Sequence, residues 1–178
     1  MSELSEHVRH SLAQQEQYLN LHAGILARAG ASLGAALARG NKLLTVGCPV
    51  VGEHMVAEIT GRYMAERPGL PAVALCGNPS AVTAIWNDYG REQIYARQLS
   101  ALVSSGDFVL GFMAGTDHAA YVAIDQAQKL GMETLALEIP DAEESIATET
   151  FLTAVHMLCD AAEAELMRQK PEWFPPPA

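Results

Sequence analysis

Three cysteines in 178 residues, Cys48, Cys76 and Cys159, are too few, and odd in number, for a disulfide framework, and no CxxC spacing offers a zinc site. They read as reduced thiols of a cytoplasmic protein. Aromatic residues are scarce at 6%, and basic residues are outnumbered, with 11 Lys and Arg against 21 Asp and Glu, for a net charge of -10. A chain of that charge repels nucleic-acid phosphates and anionic lipid, so neither nucleic acid nor a membrane is an expected partner. No run of 18 apolar residues predicts a membrane span. Residues 1–17 lack the charged head and apolar run of a secretory signal. There is no internal repeat. A local basic pocket and a protein partner both stay compatible with an acidic surface.

Hydrophobic residues make up 49% and charged residues 18%, enough for one domain with a core that needs no disulfide or structural metal. Residues 3–39, rich in Ala, Leu and Gln, predict two helices broken near 19–22, closed by Gly40-Asn41. The rhythm then changes. Short apolar runs at 42–46, 71–75, 108–112 and 133–138 predict strands. Helices are predicted at 53–66, 81–86, 92–104, 117–130 with Asp117 as cap, and 141–169 with Pro140 and Asp141 at its start. The proline-rich tail, 170–178, is predicted to be non-helical, either loose or laid on a neighbour. Alternating strands and helices imply an α/β class, a three-layer doubly wound parallel sheet with right-handed crossovers. Ligands of such sheets bind at the carboxyl ends of the strands. The turns at 47–53, 77–78, 111–117 and 139–141 are therefore the places to look.

Four stretches carry a resemblance. Gly40-Asn41-Lys42 enters the first strand. Ala57-Glu58-Ile59-Thr60-Gly61-Arg62-Tyr63 is followed by Glu66-Arg67-Pro68-Gly69-Leu70-Pro71-Ala72. Asn87-Asp88-Tyr89-Gly90 precedes a helix. Gly106-Asp107 precedes the third strand, and Leu130-Gly131-Met132 ends its helix. In order and spacing the chain resembles the phosphoheptose isomerases and their non-catalytic relative, the DnaA initiator-associating protein, within the sugar isomerase (SIS) domain family. The resemblance implies a five-stranded parallel sheet of flavodoxin-like or Rossmann-like form over 41–169. It also implies N-terminal helices over 1–40 that build a homo-oligomer, dimer or tetramer.

The same resemblance points to site residues. His54, Glu58 and His156 match a catalytic set that supports proton transfer between C1 and C2 of a sugar and, in some members, holds a metal such as zinc. The i, i+4 spacing puts His54 and Glu58 on one helical face, and carboxylate and imidazole suit acid–base work near neutral pH. The plain alternative is a solvated or capping pair. Thr148, with Glu149 beside it, stands where the family has a Gln. Asp88 matches an Asp near the substrate, although a turn or capping role explains it equally.

Both family phosphate loops are rewritten. The first is Gly47-Cys48-Pro49-Val50-Val51-Gly52, where Pro49 removes an N–H and the valines add bulk. The second is Met113-Ala114-Gly115-Thr116-Asp117-His118, where one hydroxyl remains and Asp117 repels phosphate. These are either plain capped turns, or Thr116, Asp117 and His118 bind an uncharged polar ligand. The loop after the fourth strand is almost absent. Cys48, before a helix N-terminus, is a candidate reactive thiol. His7, His10 and His22 read as helix-surface residues, and Trp86 and Tyr63 as packing. The expected function is a phosphoheptose-isomerase-like protein that binds a sugar or sugar phosphate with altered or lost catalysis. An active isomerase of sedoheptulose 7-phosphate, a non-catalytic scaffold for a protein partner, and a metal site acting on an unphosphorylated substrate are the alternatives.

Overall fold

Helix α1, Glu3–Ala38, is a single 36-residue helix, because nothing in 19–22 breaks it: Tyr18 stacks on His22 one turn on, and the His22 ring meets the Tyr18 carbonyl. The predicted break is thus absent. The computed structural model describes residues 3–115 and 117–175. Strands β1 (Leu43–Gly47), β2 (Ala72–Ala74), β3 (Phe108–Ala114) and β4 (Glu133–Ile139) form a parallel sheet in the order β2-β1-β3-β4. The sheet has four strands among the described residues, not five. After β4 the chain turns at Pro140 and Asp141 and enters the last helix, α6 (Glu144–Gln169), leaving no length for another strand.

The period-two pattern of the strands divides the core. Leu43, Phe108, Leu110, Phe112 and Leu137 face α1, α2 (Pro49–Thr60) and α6. Leu44, Val46, Val109 and Met113 face the other layer, α4 (Ala96–Leu102) and α5 (His118–Lys129). Ser5–Ala38 is long and apolar enough to cross a membrane by length and composition. In this fold it instead buries Leu26, Leu33 and Leu37 against α6. Gly30 and Gly34 permit the approach: a Cβ at Gly30 would lie 2.6 Å from the Leu158 carbonyl oxygen, and one at Gly34 2.5 Å from that of Ala162.

Several boundaries differ from the expectation. Helix α2 begins at Pro49 rather than 53, since proline suits the first helical position. It stops at Thr60 because Arg67 folds back, donating from Nη2 to the Glu58 carbonyl (2.8 Å) and from Nη1 to that of Ile59 (3.1 Å). Arg67 is itself paired with Glu163 on α6, both side chains buried. Asn78 caps a fuller helix, α3 (Pro79–Tyr89). The helix predicted at 92–104 is split into a 3₁₀ turn, Arg91–Gln93, and α4. Helix α6 starts at Glu144, three residues after Asp141, because Pro140 and Asp141 make the turn. The tail opens with a 3₁₀ turn, Pro171–Trp173, and Trp173 and Phe174 pack on the core, so it is not wholly non-helical.

Candidate functional site

Connections change direction between β1 and β3, which opens a crevice at their carboxyl ends. A pocket of about 470 Å³ lies there, lined by Gly47, Cys48, Tyr95, Phe112, Gly115 and the charged Arg91, Asp117 and Glu144. The sharp exit from β1 requires Gly47: its φ is +91, and a Cβ there would stand 2.1 Å from the Phe112 carbonyl oxygen. The Cys48 N–H then donates to that oxygen at 2.9 Å. Tyr95 fixes the floor by donating its hydroxyl to the Gly47 carbonyl at 3.3 Å, and burial pushes that phenol up to about 12.

A second feature runs down the seam of α2 and α6. At the pocket end Cys48 Sγ lies 3.8 Å from Thr148 Oγ1. Six residues further along the chain from Cys48, roughly 9 Å of helix rise, His54 Nε2 stands 3.1 Å from His156 Nε2 and 3.6 Å from Glu58 Oε1. One donor atom from each of the three side chains lies within 4.8 Å of the others. Tyr63, just past α2, stacks on the His156 ring with centroids 5.6 Å apart. Burial, then the Asp160 carboxylate, raises the Tyr63 phenol.

Two imidazoles and a carboxylate are a zinc-type donor set, with a fourth position left open. Zinc–nitrogen and zinc–oxygen bonds near 2.0–2.1 Å at tetrahedral angles separate ligand atoms by about 3.3 Å. The distances of 3.1 and 3.6 Å bracket that value. The residues present therefore offer a donor set and spacing of the kind such an ion takes.

The remaining candidates scatter. Asp117 lines the pocket, yet its Oδ1 already accepts the Ala120 N–H at 3.2 Å as the α5 cap. His118 turns out to the surface, 3.9 Å from Glu92. Asp88 is exposed in the last turn of α3 and does not line the pocket. Thr116 lies outside the described residues. Thr148 reaches Cys48 rather than the His54 cluster, and Glu149 turns away to Ser11 and His7, so His7 is more than a bare surface residue. Burial raises the Cys76 thiol to about 11 and the Cys159 thiol to about 12, which disfavours the thiolate in both.

The SIS domain profile matches residues 6–138. The chain belongs to the SIS domain family, in its phosphoheptose isomerase group. A phosphoheptose isomerase of Geotalea daltonii is 38% identical over 158 residues, covering 78% of this chain and 82% of that one. One from Bradyrhizobium is 33% identical, covering 91% and 90%. In fold the chain is similar to a phosphoheptose isomerase structure from Francisella tularensis, with a TM-score of 0.78 at 24% identity, covering 92% of this chain and 100% of that chain. That from Neisseria gonorrhoeae gives 0.70 at 24%, covering 90% and 99%. In this SIS protein the residues missed by sequence reasoning are Arg91, Tyr95, Glu144 and the stacking role of Tyr63. Only Arg91 had a signal, since it follows Asn87-Asp88-Tyr89-Gly90 at the mouth of a turn.

Proposed function

We propose that the protein is a sugar-binding SIS enzyme that interconverts an aldose and a ketose by moving a proton between C1 and C2. The observation that supports this is the His54–Glu58–His156 cluster, assembled from two helices 102 positions apart in sequence. Glu58 takes the proton beside the carbonyl, and His156 exchanges a proton with the sugar oxygen. His54 holds His156 in place from one side and Tyr63 from the other. In a metal-loaded form His54, Glu58 and His156 would instead hold a zinc ion, which would polarise the sugar carbonyl in place of the His156 proton. A carboxylate has two oxygens, so Glu58 can hold an ion with one and accept a proton with the other.

A second reading, a sugar-binding protein without turnover, has one observation in its favour. Thr148, at the position of the family's Gln, and Glu149 beside it are engaged with Cys48, Ser11 and His7 instead of joining the cluster. The same experiment decides between them. Metal content and aldose–ketose turnover are measured for the wild type, Glu58→Gln and His156→Ala, with sedoheptulose and its 7-phosphate as substrates. The enzyme reading expects a fall of about 10²–10⁴-fold in both variants. No wild-type turnover would favour the second reading. The exposed Val8, Leu12, Leu21 and Ile25 of α1 support a homo-oligomer built on that helix.

A further inference from the structure

We propose that the pocket between β1 and β3 takes the unphosphorylated, hydroxyl-bearing part of a sugar and discriminates against a phosphorylated one. This rests on the reading above that the ligand is a sugar, and it adds the class of sugar.

Anions bind at strand-to-helix turns through free backbone N–H groups at helix N-termini. Both such turns are short of these donors among the described residues. At α5 the Asp117 carboxylate itself occupies the first turn, accepting from Ala120, and the Gly115 N–H donates to Ile139 at 3.3 Å. At α2 the first residue is Pro49, which has no N–H, and the Cys48 N–H is held by Phe112. The charge on the walls points the same way. Asp117 and Glu144 bring two carboxylates and Arg91 one guanidinium. A phosphate monoester, carrying about -1.5 to -2 at neutral pH, would meet a net negative wall.

A sugar hydroxyl both donates and accepts, so it matches this mixture. It can donate to Asp117 or Glu144 and accept from Arg91, whose guanidinium lies 5.8 Å from the Trp86 ring centroid. The pocket volume of about 470 Å³ is within the range of small-molecule sites.

Calorimetric titration of the full-length protein with sedoheptulose, sedoheptulose 7-phosphate and glucosamine tests the inference. Wild type and Asp117→Ser are compared, since serine still caps a helix but carries no charge. The expected result is sedoheptulose binding about tenfold or more tightly than its phosphate, with the gap narrowed in Asp117→Ser. Tighter binding of the phosphate by the wild type overturns the inference. So does binding of neither sedoheptulose nor its phosphate, and so does a preference for glucosamine, which would make the site one for cations. Turnover of the 7-phosphate that Glu58→Gln abolishes would leave the isomerase reading standing while the inference falls.

Discussion

His54 Nε2 and His156 Nε2 face each other at 3.1 Å across the α2–α6 seam. Two ring nitrogens at that distance share either one proton or one metal ion. With Glu58 at 3.6 Å from His54, the zinc ion proposed above would engage all three groups. Protein purified without chelator and supplied with zinc should therefore bind about one equivalent, and His54→Ala should lose it, as read by elemental analysis. Retention of zinc in that variant would place the ion elsewhere.

The close contact of α1 with α6 depends on two glycines one turn apart. Gly30→Val adds atoms where a Cβ alone would already lie 2.6 Å from backbone. Overpacking of this kind costs about 1–3 kcal/mol, so Tm should fall by roughly 2–12 °C. An unchanged Tm would show that α1 does not pack on α6 in this way.

Arg67 and Glu163 tie the end of α2 to α6. Glu163 also accepts the Met64 and Ala65 N–H groups, at 3.3 and 3.2 Å. Glu163→Ala leaves a buried guanidinium without its partner, at a cost of about 3–5 kcal/mol. The double variant Arg67→Met, Glu163→Leu should be less damaged than the single one by denaturant unfolding. Equal loss in both would mean that the backbone hydrogen bonds, not the charge pair, matter most.

Asp107 adds a pH dependence. Burial pushes its carboxyl up, but hydrogen bonds from Lys42 Nζ and from the Lys42 and Ser104 N–H groups outweigh burial and hold it below the usual 3.8. A depressed folded value means that its stabilisation is full above the unfolded value and is lost as pH falls through the folded one. Stability should decline in acid below about pH 4, and Asp107→Asn should flatten that decline while lowering stability at neutral pH. An Asn variant as stable as wild type at pH 7 would contradict it.

The strands, the parallel sheet and the Asp117 cap were legible because each rests on local pattern: short runs of five or six residues, alternation with helices, and a capping residue before a periodic segment. The His54–Glu58 face was legible from spacing, whereas His156 entered only through resemblance. The start of α2 and the end of α6's leading turn were misread for one reason. Proline both begins helices and bends turns, and only tertiary packing decides which Pro49 and Pro140 do. The early end of α2 was hidden because Arg67, seven residues past Thr60, caps it through space. Tyr95 and Glu144 had no signal, since each reaches the pocket from an element whose own sequence says nothing about β1.

The fate of the C1 hydrogen tests the acid–base role most directly. Sedoheptulose and its 7-phosphate are each incubated with the protein in heavy water, and deuterium at C1 of the recovered ketose is followed by NMR. Exchange catalysed by the wild type, slowed about 100-fold or more in Glu58→Gln, is the predicted result. Absence of exchange on both sugars, or exchange unchanged in Glu58→Gln, would contradict the assignment of the His54–Glu58–His156 cluster as the site of chemistry.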